Sequence, residues 1–448
     1  MLINLLLSDI ANACDGQLVG PDITVSEVIT DTRVILPQAL FVALKGARFD
    51  GHDYAVSAVQ QGVVAVLCER DLSVPSYIKV ADTQVAYGRL ARLMRDAFSG
   101  PVVAITGSNG KTSVKDWLAQ SLDDRNVLKT RANLNNQIGV PQTILSLNDH
   151  HDVAVIEAGT SFTGEIALLA NIIHPDIVIL TNASGSHFEG LGGLENIAIE
   201  KGCLLSGATE EALLILNADD AYFDYWCGLA SGRQIWSFGF SDQATLYASE
   251  LSLGAESSQA LFHFKGQSVG VTVAGAGKHQ IANGMAVVLA LVGLGMAFEI
   301  AVEKLSQPVL VSGRLERRVT KNGALLIDDC YNASPTSVQA AIDVLVMQPV
   351  KQTWFILGAL GELGSQRDDI HHQIGVYAQE QGVSHLICVG HVAGIAGKAF
   401  EAKGGCAVFC DTHADAAEKV RYLDKQNAIL VKGSRSAKME TVIEALIH

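Results

Sequence analysis

Short runs of apolar, mostly β-branched residues alternate along the chain with longer stretches in which apolar positions recur with a helical period. This alternation predicts strands that are followed by helices, and therefore parallel sheets with helices on both faces. The runs at 153–157 and 176–181 are almost continuously apolar, which is typical of strands buried on both faces. Between residues 246 and 275 apolar and polar positions alternate around glycine turns, which predicts an antiparallel extension of the sheet.

Breaks in this pattern divide the chain into segments 1–99, 100–311 and 312–448, so we predict an α/β fold with three domains. The first boundary falls at Ser99-Gly100-Pro101, a composition typical of a linker. The central segment carries the pattern of a mostly parallel sheet. The last segment predicts a Rossmann-like doubly wound sheet, because helical stretches separate four strand-like runs, at 324–328, 353–357, 385–389 and 428–432.

Composition narrows the class of protein. A chain of 448 residues is too long for a single core. Its formal net charge of −15 argues against nucleic acid or an anionic membrane surface as the main partner. The eight cysteines are scattered, and we find neither a targeting segment nor an apolar run that approaches a membrane span. We therefore expect a cytoplasmic protein with reduced thiols.

The most informative motif is a short glycine loop between an apolar run and a helical pattern, Thr106-Gly107-Ser108-Asn109-Gly110-Lys111-Thr112-Ser113. We call residues 106–113 the phosphate loop. Backbone N–H groups in such a loop face phosphate oxygens, the lysine reaches the β- and γ-phosphates, and the hydroxyl after it ligates Mg²⁺. The motif predicts binding of a nucleoside triphosphate. The alternative is an ordinary tight turn in which Lys111 is solvated.

Four further residues are candidates for chemistry. Glu157 ends a buried apolar run beside the phosphate loop and is a candidate Mg²⁺ ligand, or else a solvated strand end. His187 follows the run at 176–181 and is either a second metal ligand or a polar loop residue. From composition alone, Lys201 is a solvated lysine on a helix. Arg314 lies at a domain junction, where a γ-phosphate clamp and an interdomain salt bridge are equally plausible.

Several longer motifs, in order along nearly the whole chain, resemble those of the ATP-dependent Mur ligases of bacterial cell-wall synthesis. Any one of them would be weak alone, but their order is specific. Besides the phosphate loop they are Thr30-Asp31-Thr32-Arg33, Leu40-Phe41-Val42-Ala43-Leu44-Lys45-Gly46, Asp50-Gly51-His52, Asn133-Leu134-Asn135-Asn136-Gln137-Ile138-Gly139-Val140-Pro141, Gly277-Lys278-His279-Gln280-Ile281-Ala282-Asn283, Gly313-Arg314, Asp328-Asp329-Cys330-Tyr331-Asn332-Ala333-Ser334-Pro335 and Leu430-Val431-Lys432-Gly433-Ser434-Arg435.

The resemblance implies a function for each domain. Residues 1–99 would hold a UDP-sugar substrate, residues 100–311 would bind ATP, and residues 312–448 would contact the acceptor and the nucleotide. The segment 133–141 marks the branch that joins D-alanyl-D-alanine to UDP-N-acetylmuramoyl-tripeptide through an acyl phosphate, releasing ADP and phosphate. The resemblance thus implies a monomeric ligase of peptidoglycan precursor synthesis.

The resemblance also assigns site residues, and we expect them as follows. The ligands of two Mg²⁺ ions would be Thr112, Glu157, His187 and Lys201, the last as a carbamylated lysine. The catalytic set would be Lys111, His187, Lys201 and Arg314, with Arg314 at the γ-phosphate. The nucleotide would be held by Gly107, Ser108, Asn109, Gly110, Lys111, Thr112, Ser113, Asn283, Arg314, Asp329, Tyr331 and Asn332. The substrates would be held by Thr32, Arg33, Lys45, Gly46, Asp50, Gly51, His52, Asn133, Asn135, Asn136, Glu362, Leu363, Gly364, His371, Lys432, Ser434 and Arg435.

Other classes of protein fit less well. A folylpolyglutamate synthetase has a similar central domain and short loop, but the Asp-Thr-Arg and Asp-Gly-His segments argue against it. A GTPase switch would carry an Asn-Lys-x-Asp signature, which is missing here. A non-catalytic scaffold is disfavoured because Lys111, Thr112 and Glu157 are all present.

The chain departs from the family's pattern at Ala359, where the family usually has a polar or acidic residue. This difference concerns the pocket for the dipeptide.

Overall fold

The computed structural model describes residues 3–46, 48–185, 188–309 and 312–447. These residues form a small N-terminal sheet, a nine-stranded central sheet and a six-stranded C-terminal sheet, all packed with helices. The predicted α/β fold is therefore confirmed. Within the part of the chain described, no helix combines the length and the apolar character needed to cross a membrane.

The N-terminal unit is built on a five-stranded sheet in the order β2-β7-β6-β5-β4, while β1 pairs separately with β3. Strand β2 is antiparallel to its neighbour, and the other pairs are parallel. The elements are β1 (Leu5–Leu6), α1 (Leu7–Ala13), β2 (Gln17–Val19), β3 (Thr24–Val25), β4 (Glu27–Ile29), β5 (Ala39–Val42), α2 (Ala55–Gln60), β6 (Ala65–Cys68), β7 (Tyr77–Lys79) and α3 (Thr83–Ala97).

Helix α3 attaches this unit to the central domain through Arg95, whose side chain is 8% exposed. The guanidinium Nε donates to the carbonyl of Ile173 at 3.0 Å, and Nη2 donates to Asp176 Oδ2 at 2.7 Å. The same carboxylate oxygen accepts the N–H of Val102, at the start of the central sheet. One buried side chain thus joins the N-terminal helix to two elements of the central domain.

Replacing Arg95 by alanine is expected to lower the free energy of unfolding by about 2–3 kcal/mol, because Asp176 and a buried carbonyl lose their charged donor. Arg89 on the same helix is a matched control, since its ion pair with Asp15 is largely solvated. Its replacement by alanine should cost at most about 1 kcal/mol. Urea denaturation of both variants measures the difference, and equal losses would contradict the role of Arg95.

The central sheet has the order β16-β15-β14-β13-β12-β11-β8-β10-β9. Strands β8 to β14 are parallel, and β15 and β16 run antiparallel, so the predicted antiparallel extension is confirmed. The elements are β8 (Val102–Thr106), α4 (Lys111–Ser121), β9 (Val127–Lys129), α5 (Gly139–Ile144), β10 (Val153–Glu157), α6 (Glu165–Ile173), β11 (Ile177–Leu180), α7 (Phe188–Leu191), α8 (Leu194–Ser206), β12 (Leu213–Asn217), α9 (Phe223–Gly228), β13 (Gln234–Gly239), β14 (Leu246–Ser252), β15 (Ser257–Phe264), β16 (Gln267–Ala274), α10 (Lys278–Gly293) and α11 (Phe298–Glu303).

The strand order reverses at β8. After β8 the chain builds β9 and β10 on one side, and it then crosses to form β11 and β12 on the other. Ligands of open parallel sheets bind at such a switch point, outside the carboxyl ends of the strands. The phosphate loop leaves the sheet there, because it directly follows β8.

The C-terminal sheet has the order β17-β18-β22-β19-β20-β21, with only the edge strand β17 antiparallel. Separate apolar cores cover its two faces, which confirms the predicted doubly wound sheet. Sequence analysis missed β17 and β21, which are both half-exposed edge strands; β17 has the mostly charged sequence Glu-Arg-Arg-Val, whereas β21 is a short apolar run that was overlooked. The elements are β17 (Glu316–Val319), β18 (Leu325–Asp329), α12 (Pro335–Val346), β19 (Gln352–Leu357), α13 (Arg367–Glu380), β20 (His385–Val389), α14 (Gly390–Ala402), β21 (Cys406–Cys410), α15 (His413–Val420), β22 (Asn427–Lys432) and α16 (Glu440–Ile447).

Candidate active site

A cleft of about 1310 Å³ opens between the carboxyl edge of the central sheet and the C-terminal domain. Many of the residues singled out from the sequence line it, on both of its walls. On the central wall these are Ser108, Asn109, Gly110, Lys111, Thr112, Ser113, Asn133, Asn135, Asn136, Glu157 and Asn283. On the C-terminal wall they are Arg314, Asp329, Tyr331, Asn332, Glu362, Lys432, Ser434 and Arg435.

The phosphate loop depends on glycine for its shape. Gly107 has a φ of +147°, and a Cβ there would lie 1.9 Å from Thr181 Oγ1. Gly110, with a φ of +87°, turns the chain into α4, so the helix N-terminus faces the cleft. The Lys111 ammonium is folded onto its own loop and donates to the carbonyls of Gly107 and Ser108 at 2.6 and 3.2 Å. Burial lowers the pKa of Lys111, and the Glu157 carboxylate opposes that shift.

Glu157 is the buried carboxylate of the central wall, at 3% exposure. Its Oε2 accepts the hydroxyl of Thr112 at 2.9 Å, and its Oε1 accepts the side-chain amide of Asn135 at 2.8 Å. Arg314 Nη2 donates to Thr112 Oγ1 at 3.1 Å. The Thr112 hydroxyl proton is therefore directed to the Glu157 carboxylate, while the oxygen atom accepts a hydrogen bond from the Arg314 guanidinium. Such hard oxygen atoms suit Mg²⁺.

Lys201 is buried, at 2% exposure, so the composition-based expectation of a solvated lysine is wrong. Neighbouring Glu200 explains the burial, since its carboxylate accepts the N–H groups of Gly164 and Ile166 and holds α8 against the start of α6. Burial lowers the pKa of Lys201 well below its ordinary value, and the charge of Lys111 adds to the shift. The amine of Lys201 therefore loses its proton more readily than that of a solvated lysine.

His187, the remaining candidate metal ligand, lies outside the described residues. Among those that are described, no group of three or more His, Cys, Asp and Glu side chains is arranged to hold a metal. Thr112 and Glu157 are in contact, whereas Lys201 does not line the cleft. The described residues thus supply part of a metal site, and the complete ligand set stays a prediction.

The C-terminal wall brings its cations to the phosphate loop. The Arg314 guanidinium stacks over the Tyr331 ring at 4.4 Å, and its Nε is buried without a hydrogen-bond partner. Lys432 Nζ lies 2.5 Å from Asp329 Oδ2, inside the cleft wall. Burial raises the pKa of Asp329, and Lys432 opposes that shift. An unpaired donor on Arg314 and a buried ion pair beside it suit an anionic ligand.

The substrate residues predicted in the N-terminal unit do not line the cleft, and they make contacts within that unit. Lys45 pairs with Glu69, and His52 Nδ1 contacts Asp50 while its Nε2 accepts the N–H of Glu69. Arg33 pairs with Asp31 and lowers the pKa of that carboxyl to about 2. Thr32, Gly46 and Gly51 belong to the same segments. The structure therefore separates these residues from the phosphate loop.

The side chains of some predicted substrate residues are buried or make hydrogen bonds within the protein. His371 is fully buried, with Nε2 accepting the N–H of Leu360 and Nδ1 bonded to the Arg367 carbonyl. Leu363 is buried, and neither it, Gly364 nor His371 lines the cleft. Asn136 Oδ1 accepts the N–H groups of Ile138 and Gly139 at the start of α5. In this conformation His371 holds the loop that leads to Glu362 and does not reach the cleft.

The cleft also contains polar residues that sequence analysis missed. Asp219 and Asp220 follow β12, and the strand-end argument applied to Glu157 would have found them. His279 and Gln280 belong to the 277–283 motif, from which only Asn283 was taken. Burial lowers the pKa of His279 to about 4, with a smaller contribution from the charge of Lys432, so the imidazole is neutral at physiological pH.

Models of known protein families match three parts of the chain. Residues 24–98 match the catalytic domain of the Mur ligase family, residues 105–291 match the Mur ligase middle domain, and residues 313–435 match the glutamate ligase domain of Mur ligases. The matches leave residues 1–23, 99–104, 292–312 and 436–448 uncovered.

The similarity to individual proteins extends over the full length. The UDP-N-acetylmuramoyl-tripeptide–D-alanyl-D-alanine ligase of Escherichia coli strain K12 is 36% identical over 451 residues, with 99% of each chain covered. A crystal structure of MurF from Acinetobacter baumannii is 31% identical, with a TM-score of 0.91 and 99% of both chains covered. The MurF ligase of Thermotoga maritima, solved in complex with ADP, is 28% identical, with a TM-score of 0.84 and 94% of this chain and 96% of that one covered.

Proposed function

The chain belongs to the Mur ligase family, and from this premise we propose that it joins D-alanyl-D-alanine to UDP-N-acetylmuramoyl-tripeptide in an ATP-dependent reaction. The product is UDP-N-acetylmuramoyl-pentapeptide, a peptidoglycan precursor, released with ADP and phosphate. One observation carries this proposal: the phosphate loop and the Arg314 guanidinium meet across a single cleft whose walls come from the central and C-terminal domains.

The first step is phosphoryl transfer to the tripeptide. The loop N–H groups and the α4 N-terminus bind the phosphates of ATP. A terminal carboxylate oxygen of the tripeptide attacks the γ-phosphorus, and the bond to the β-phosphate oxygen breaks, which yields an acyl phosphate and ADP. Lys111 and Arg314 approach from opposite walls and offset the charge in transfer. The stacking of Arg314 on Tyr331 limits the positions from which it can do so.

The second step forms the amide bond. The amine nitrogen of D-alanyl-D-alanine attacks the acyl carbon, inorganic phosphate leaves with the bonding electrons, and the amine proton passes to a base. Glu362, Lys432, Ser434 and Arg435 lie on the wall that would receive the dipeptide, and Leu363, Gly364 and His371 lie behind it. Closure of the cleft would exclude water from the acyl phosphate.

Mg²⁺ fits the chemistry of the central wall, where Thr112 and Glu157 are in contact and would hold the ion through their oxygen atoms. We propose Thr112, Glu157, His187 and a carbamylated Lys201 as the protein ligands of two ions. When bound, Mg²⁺ neutralises phosphate charge and orients the transferring group. A carbamate at Lys201 would convert a neutral amine into the carboxylate-like ligand that such a site needs.

The rest of the chain has supporting roles in this proposal. We assign residues 1–99 to the UDP-sugar, 100–311 to ATP and 312–448 to the acceptor and the nucleotide. The residues for the UDP-sugar are Thr32, Arg33, Lys45, Gly46, Asp50, Gly51 and His52, and the segment with Asn133, Asn135 and Asn136 contacts the tripeptide. The adenosine is held by Asn283, Asp329, Tyr331 and Asn332. We further propose a monomer in the cytoplasm.

Asn135 is expected to hold Glu157 in place for the metal. Its side-chain amide lies over Gly159, where a Cβ would be 2.8 Å from Asn135 Cγ, and the backbone carbonyl of Asn135 accepts the Gly159 N–H. Replacing Asn135 by alanine should weaken metal binding about tenfold, as loss of an outer-shell partner does. Mn²⁺ titration with ADP present, followed by electron paramagnetic resonance, measures this. Asn133→Ala in the same loop should bind Mn²⁺ like the wild type, and equal affinity of both variants would refute the role.

The proposed function is tested by measuring phosphate release from ATP with UDP-N-acetylmuramoyl-tripeptide, with and without D-alanyl-D-alanine, and by weighing the product. Release that requires both substrates, with a product heavier by the dipeptide minus water, supports the ligase. Turnover with a folate and glutamate instead would move the chain to the folylpolyglutamate branch. A silent protein in both assays would contradict the proposal.

A further inference from the structure

The side chain of Asn109, in the phosphate loop, is bonded to both sides of the cleft. Its Nδ2 donates to Ser184 Oγ at 2.7 Å, on the loop that follows β11, and to Thr336 Oγ1 at 2.9 Å, on α12 of the C-terminal domain. Its Oδ1 accepts the hydroxyl of Ser334 at 2.8 Å. The side-chain amide is thus fully used, and two of its three partners belong to the other domain.

These contacts close into a network. The Thr336 hydroxyl donates to Ser184 Oγ at 3.2 Å, so the two partners of Asn109 Nδ2 also bond to each other. On the central side, the Asn109 N–H donates to Asn182 Oδ1, and the Asn109 carbonyl accepts the Thr181 hydroxyl. The backbone of Asn109 is therefore held by the central domain, whereas the orientation of its side chain depends on the C-terminal domain.

We propose that Ser334 and Thr336 are positioning residues, which hold the phosphate loop in its nucleotide-binding shape only while the C-terminal domain is docked. This inference rests on the proposed nucleotide site. It follows that docking of the domain and readiness of the loop are one event. An undocked domain leaves the Asn109 side chain with Ser184 as its one remaining partner among those named here, and the loop then samples other shapes in which its N–H groups do not converge on phosphate.

Ser334 has a second task that the test must separate. It is the N-cap of α12 and forms a capping box with Ser337, so its loss also weakens the helix start. Thr412 is a matched control, since it caps α15 in the same domain without touching the cleft. Thr336 carries no cap bond, and replacement by valine keeps its shape. Thr353 matches it, because its hydroxyl pairs only with Ser384 inside the domain.

The test is the affinity of the full chain for ADP, measured by titration calorimetry. We expect Ser334→Ala and Thr336→Val each to raise the Kd for ADP about fivefold, the effect of one lost neutral hydrogen bond. Thr412→Ala and Thr353→Val should bind ADP like the wild type, with thermal melts reporting any loss of stability. In the Asn109→Ala background, Ser334→Ala should have no further effect on the Kd, because its partner is gone.

An ADP affinity that is unchanged by both Ser334→Ala and Thr336→Val would overturn the inference, as would additive losses in the Asn109→Ala background. These outcomes are separate from the proposed function. If the wild type makes the pentapeptide and both variants bind ADP normally, the proposed function holds and the inference is wrong. If the variants bind ADP more weakly but the wild type does not ligate, the inference holds and the proposed function is wrong.

Discussion

Replacing Lys111 by methionine is expected to lower kcat for phosphate release by about 10²- to 10³-fold, the usual loss when one preorganised charge at a transition state is removed. Methionine fills a similar volume, so the fold should survive. The ammonium donates hydrogen bonds to the carbonyls of Gly107 and Ser108. The side chain therefore spans the space that the phosphates would enter, and its charge is available at that point.

Lys278 offers a matched control for this variant. Like Lys111, it is the first residue of a helix and follows a glycine of positive φ, at +93° in Gly277 and +87° in Gly110. Its ammonium lies over the ring of Phe240 and does not line the cleft. Lys278→Met should keep the wild-type kcat. If Lys111→Met retains full activity, the proposed role of the phosphate loop in catalysis is wrong, whatever the affinity of the variant for the nucleotide.

Replacing Lys201 by alanine is expected to reduce the ligation rate at least about 10²-fold, because a ligand of a charge-neutralising ion is lost. The physical basis is the burial of the amine. Burial lowers its pKa, and only the unprotonated form has the lone pair that adds to carbon dioxide. The addition forms an N–C bond and releases one proton, which leaves a carbamate anion at the end of the side chain.

Rescue separates this role from a packing role. Lys201→Ala leaves a buried hole, into which formate or acetate can bring a carboxylate, whereas Lys201→Met fills the same space. Short carboxylates should therefore restore part of the ligation rate to the alanine variant and none to the methionine variant. Full activity of Lys201→Ala without added carboxylate would show that the amine has no part in metal binding.

The sequence is most informative where structure is local. Strands β10 and β20 coincide with the predicted runs, since each is a continuous apolar segment buried on both faces. The phosphate loop and Glu157 are also local signals, as each directly follows a buried strand. Their roles in ATP and metal binding stay predictions, and so does the role of His187.

Contacts between distant segments limit what the sequence can predict. Lys201 lies on α8 next to the charged residue Glu200, and the bonds of Glu200 to Gly164 and Ile166 at the start of α6 come from a distant segment. The bonds of His371 to Leu360 and Arg367 are likewise invisible in the pattern of residues. The interdomain partners of Asn109 lie more than 200 positions along the chain from it. Periodicity and motif spacing hold no information on such pairs.

The attachment of α3 has a consequence for engineering. One continuous apolar core contains Tyr87 and Leu90 of the N-terminal unit together with Leu169 and Ile172 of the central domain. The two C-terminal cores, by contrast, take few side chains from outside that domain among the described residues, namely the buried Ala276 and the partly buried Phe188. A chimera that exchanges the C-terminal domain therefore has few apolar contacts to match. A graft of the N-terminal unit would have to cut through packed side chains, so this chain is modular at one end only.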